Sequence, residues 1–196
     1  WPRCHVLGAA FMVEMLFFAG CAGNPAAPMA SAESVPQRVV FVSSAVFTGD
    51  LGGVAAADGV CSTLAIAAGL SGTYRAWLSD DQERSPSTRF SRSELPFVMT
   101  SGVRVADHWS DLTDGTINNP IVVDERGDQP DTVPVVWTGT TASGRPFVDA
   151  FGCDGWSDGS AGALGQIGEF DAIDYRWSAS RGVGCDQLGR IYCFEQ

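Results

Sequence analysis

The sequence predicts an α+β domain in which one main helix sits among short strands joined by long loops. Three observations predict it. Only Val54 to Ala68 spaces apolar and small residues at helical intervals, and Gly69 follows where a C-cap is expected. Short runs rich in Val, Phe, Tyr and Trp recur along the chain, separated by clusters of Gly, Ser, Asp and Pro, as strands separated by turns would be. Four cysteines, Cys61, Cys153, Cys185 and Cys193, lie beyond the N-terminal region and form the even set that two disulfides need.

At 196 residues the chain has room for one domain of about 150 residues with a sizeable core, plus an appendage. It carries 23 acidic residues against 12 basic ones, every one an Arg, for a net charge of -11. A field of that sign repels nucleic acid, heparin-like sulfated polysaccharide and anionic lipid, so partners that dock on a basic patch are excluded.

Residues 1–21 read as a signal peptide, with Arg3 as its positive region and Val6 to Phe18 as its apolar run. Small residues then precede Cys21 in Phe18-Ala19-Gly20-Cys21, the pattern of a lipobox whose cysteine becomes the lipidated first residue of the mature chain. The Ala, Pro and Ser of residues 22–37 make a flexible tether. Membrane contact is therefore expected through a lipid anchor alone, on an outer-membrane or cell-surface lipoprotein, with a secreted or periplasmic protein as the alternative.

The domain occupies residues 38–196. Val39 to Val42 is the first strand, and the helix that follows turns Cys61 toward the core. Gly72 to Asp80 reads as a strand with Tyr74, Ala76 and Leu78 on one face and Trp77 on the other. Pro96 to Thr100 and Val103 to Ala106 form two strands around Ser101-Gly102, and His108 to Gly115 is turn chemistry. Val133 to Thr140 is the most β-prone segment, with Arg145 to Ala150 as its partner. Cys153 to Gly184 reads as loop apart from a strand at Tyr175 to Ala179, and Arg190 to Glu195 as a strand with one face buried. The four domain cysteines allow three pairings.

Three blocks carry a resemblance. Gly69 to Ser79, Val136-Trp137-Thr138-Gly139 with Ser143-Gly144-Arg145, and Cys153 to Trp156 followed by Cys185 and Ile191-Tyr192-Cys193 resemble endostatin, the C-terminal domain of certain collagens. The likeness is closer still to a bacterial surface-lipoprotein family of unknown function whose chains end in a similar Tyr-Cys-Phe-Glu strand. The resemblance implies a C-type-lectin-like fold, a helix on a curled antiparallel sheet with loops gathered on one side. It also implies nested disulfides, Cys61 to Cys193 and Cys153 to Cys185.

No residues are assigned to catalysis, metal or cofactor binding. Gly155-Trp156-Ser157-Asp158-Gly159 has the GxSxG spacing of a hydrolase nucleophile elbow, but no His follows Ser157 to complete a triad. Gln129-Pro130-Asp131 has the form of a lectin sugar-binding triplet, yet Trp177-Ser178-Ala179 stands where such a lectin presents an amide and a carboxylate to calcium. Asp154 with Asp158, and Glu169 with Asp171 and Asp174, read as solvated loop carboxylates. Trp109, Trp156 and Trp177 lie in or beside loops and are the candidate ligand contacts. The resulting expectation is a non-catalytic surface module that binds a protein or a glycan without lectin-type calcium. The alternatives are a secreted hydrolase using loop carboxylates and a structural envelope protein.

Overall fold

The computed structural model describes residues 35–80, 84–131, 135–147 and 152–196; the signal, Cys21 and most of the tether lie outside them. In chain order the elements are β1 (Arg38–Val42), α1 (Val54–Ala67), β2 (Tyr74–Ala76), the single turn α2 (Pro86–Arg89), β3 (Phe97–Met99), β4 (Arg104–Ala106), the single turn α3 (Trp109–Leu112), β5 (Val135–Trp137), β6 (Leu164–Glu169), β7 (Arg181–Gly184) and β8 (Arg190–Glu195). They build one open sheet in the order β4-β3-β1-β8-β5-β6-β7, with β2 also paired to β8.

β8 is the centre of the sheet. One edge pairs antiparallel with β1, while the other is shared between β5 at its start and β2 at its end. The expected antiparallel sheet is thus mixed, because β5 runs parallel to β8 and β3 parallel to β1. β8 also buries both faces instead of one. Tyr192 and Phe194 enter an aromatic core with Trp77, Phe97 and Trp177, while Ile191 and Cys193 enter a second core beneath α1. Even Arg190 is only 7% exposed, and its Nη1 donates to the carbonyls of Ser43 and Ser44, 2.6 Å each. A polar residue in the alternation suggested a wet face; here the guanidinium is buried because two carbonyls receive it.

The same alternation splits the other strands. Tyr74, Ala76 and Leu78 pack under α1 and Trp77 on the aromatic side, as the period of two requires. α1 buries Val54, Ala57, Cys61 and Ala65, small residues that let it lie close on β2 and β8. It ends as expected, with Gly69 in the left-handed region (φ 75°) and its amide donating to Ile66. Two disulfides close the fold, Cys61–Cys193 across 132 residues and Cys153–Cys185 across 32.

The stretch after Cys153 departs most from expectation. β6 and β7 form a hairpin-like pair there, and Tyr175–Trp177 is a 3-10 turn capped by Asp174, not a strand. Glycines mask β6: a Cβ on Gly168 would stand 2.0 Å from the Trp177 carbonyl oxygen, and one on Gly165 2.6 Å from Cys153 Sγ. Close packing selects residues that propensity scores against. The β-prone run near residue 135 is strand only over Val135–Trp137, with 132–134 outside the described residues. Of its expected partner, Pro146 makes one isolated bridge to Thr140, and 148–150 lie outside.

Candidate functional site

Of the three candidate contact tryptophans, two are closed to a ligand. Trp156 and Trp177 are 0% exposed. Trp156 donates Nε1–H to the Ser79 carbonyl at 2.8 Å, and its ring blocks any side chain at Gly139, where a Cβ would lie 2.7 Å from Cζ2. Trp177 packs on Trp77 and Tyr192, with ring centroids 4.9 and 5.7 Å apart. Both fill the cores, where burying so large a ring stabilises more than an exposed contact would. Trp109 is half-buried, leaning on Trp77 and Phe90.

The acidic groups divide in a similar way. Glu169 is held by Arg176, Arg181 and the Ser180 hydroxyl, so it belongs to an ion-pair network that ties β6 to β7. Asp174 caps the 3-10 turn, and the Arg176 side chain holds its carboxyl below the ordinary carboxylate range. Asp158 is held down likewise by hydrogen bonds from Ser160. No three His, Cys, Asp or Glu side chains among the described residues are grouped to hold a metal ion. Ser157 is exposed in a loop and donates to the Asp154 carbonyl, and the residues before it form a left-handed turn, not the strand of a nucleophile elbow.

That turn, Cys153–Trp156, is where concavity appears. All four residues have positive φ, from 45° at Cys153 to 67° at Gly155, a conformation unfavourable by about 1–2 kcal/mol for each non-glycine residue. It is held by the Cys153–Cys185 bond, by the amide of Trp156 donating to Gly152, and by the Trp156 ring in the core. Beside it opens a pocket of about 630 Å³. Phe147, Ala163 and Leu164 are its apolar lining residues, and Asp80 and Asp154 are its acidic ones. Gly139, Gly152 and Gly162 leave backbone bare between them. The Asp80 side chain is only 5% exposed and pairs with Arg84 Nε at 3.1 Å.

None of the pocket's wall could be assembled from the sequence, because its residues come from the segment that follows β2, the loop after β5, the turn at Cys153–Trp156 and the approach to β6. Asp154 alone stood among the acidic candidates. Two buried disulfides mark an exported or extracellular protein. No helix of the described residues is long and apolar enough to cross a membrane. A family model described as Collagenase NC10 and Endostatin matches residues 39–195, from the second residue of β1 to the last of β8. With the helix on a central C-terminal strand and the nested disulfides in place, the chain belongs to the Collagenase NC10 and Endostatin family.

Proposed function

We propose that the domain is a non-catalytic glycan-binding module of an exported, surface-tethered lipoprotein of bacterial type, anchored through Cys21, and that the glycan enters the Asp80–Phe147–Leu164 pocket without calcium. The pocket's mixed lining carries this reading: an apolar wall suits the C–H face of a sugar ring, and carboxylates with bare backbone suit its hydroxyls. Buried tryptophans leave this wall as the better platform. A glycan array probed with the full chain, followed by calorimetry on the hits, tests it. Phe147→Ala and, independently, Leu164→Ser should weaken the best hit about tenfold with unchanged thermal melts. A blank array with capture of a protein ligand instead would refute the glycan assignment. Mass spectrometry of the mature chain tests the anchor; a product lacking Cys21 and lipid would refute it.

One observation favours a second reading, a hydrolase. Asp80 and Asp154 line the same pocket, and paired carboxylates are the equipment of glycoside hydrolysis. Shortened oligosaccharides after incubation of array hits with the chain, absent with Asp80→Asn, would select that reading over simple binding.

A further inference from the structure

We infer that the pocket prefers a sugar that bears a free amino group. The inference rests on the glycan reading above and names the substituent the site selects. Size comes first: about 630 Å³ falls within the range of about 300–1,000 Å³ typical of small-molecule sites, so one or two sugar rings fill it and a lone amino-acid side chain leaves most of it empty.

Charge then narrows the ring. Asp80 is matched by Arg84, but no ion pair joins Asp154 to any cation among the described residues. Among the described residues the pocket therefore keeps one uncompensated carboxylate, in a lining that also includes Phe147 and Leu164. An ammonium on a ring carbon supplies both the counter-charge and charge-assisted N–H donors to Asp154, while the ring lies on Phe147 and Leu164. A uronic acid, sialic acid or sulfated sugar meets that carboxylate and the chain's net charge of -11, and is rejected. A neutral sugar is admitted with less gain. Since Asp154 is exposed, water screens the pair, and the preference over the N-acetylated sugar is about fivefold.

Calorimetric titration of the full chain decides it, at about pH 6 where a sugar amine is protonated. The probes are a β-1,4-linked glucosamine disaccharide, its N-acetylated counterpart, a glucose disaccharide and Nα-acetyl-lysine amide. The expected result is about fivefold tighter binding of the amine disaccharide than of the N-acetylated one, falling to parity in Asp154→Asn and in about 1 M salt. Asn tolerates the left-handed backbone of residue 154, so this variant keeps the turn, and an unchanged melt verifies it. Equal binding of all three disaccharides overturns the inference and leaves the glycan reading standing. Binding of no sugar overturns both. Lysine amide binding as tightly as the amine disaccharide overturns the sugar and shows that the site reads an ammonium alone.

Discussion

Tyr192 carries a hydroxyl into the middle of the aromatic core, where it is 0% exposed and has no hydrogen-bond partner among the described residues. Burial raises its pKa far above 10.0, and the charges of Asp171 and Glu169 push the same way. Tyr74, 1% exposed under α1, is raised by burial and then by Glu195. In both, the folded state holds the proton more tightly than the unfolded chain does. Their contribution is therefore complete below the unfolded value of about 10 and is lost as pH rises above it. Absorbance at the tyrosinate band should show these two side chains ionising only together with unfolding, at a midpoint above about pH 10. Tyr192→Phe removes an unsatisfied hydroxyl with little change of shape, so it should leave neutral-pH stability unchanged or raise it by up to about 1 kcal/mol, and move the alkaline midpoint upward. A loss of more than about 2 kcal/mol would mean that the hydroxyl has a buried partner, such as an internal water.

β8 works as an element only because three strands and a disulfide converge on it. Cys193 lies opposite Phe41 of β1 and Ala76 of β2, and its sulfur reaches α1 through Cys61. Chain-entropy reasoning assigns the 132-residue loop about 5 kcal/mol and the 32-residue Cys153–Cys185 loop about 4 kcal/mol. Replacing Cys61 and Cys193 together by Ala should cost more than replacing Cys153 and Cys185, in denaturant melts without reductant. The smaller loss should come with weaker sugar binding, since Cys153 opens the left-handed turn that walls the pocket. Equal losses with binding intact would detach the turn from the site. Much of this element structure was legible beforehand: β1, α1, β2, the β3–β4 pair and β8 each announce themselves by period or by turn residues. β6 and β7 do not, because Gly165, Gly168, Gly182 and Gly184 remove the very side chains from which a strand is read. The parallel pairings were equally hidden, since direction is set by long connections and not by local pattern.

At the scale of the whole molecule, what was legible is charge, export and fold, while the site was not. Trp156 and Trp177 look like ligand platforms in a sequence because loops flank them; the fold instead uses them to plug its two cores, and the pocket wall passes to Phe147 and Leu164, which nothing in their neighbourhoods marks. Charge is the one whole-chain property that speaks directly about partners. Beyond residue 21 the chain carries 11 Arg against 22 acidic residues. Several of those Arg are already committed, Arg89 to Asp58, Arg176 to Asp174 and Arg181 to Glu169, so they cannot gather into an anion-binding stripe without breaking pairs that hold α1, the 3-10 turn and β7. A polyanion approaching this surface releases few counterions and meets a repulsive field, so it gains little from binding. Passed over a heparin column at about 0.15 M salt, the full chain should emerge in the void volume, and it should not shift duplex DNA at the same ionic strength. Thermal melts should also be the same with millimolar calcium as with chelator, because a hard cation requires about six to eight oxygen ligands and Trp177-Ser178-Ala179 supplies a core ring and a turn where carboxylates would be needed. Retention on heparin would require a local cluster strong enough to overcome the net field. A calcium-induced rise of several degrees would place a cation among Asp154, Asp158, Glu169, Asp171 and Asp174, and would compete directly with the ammonium assigned to Asp154.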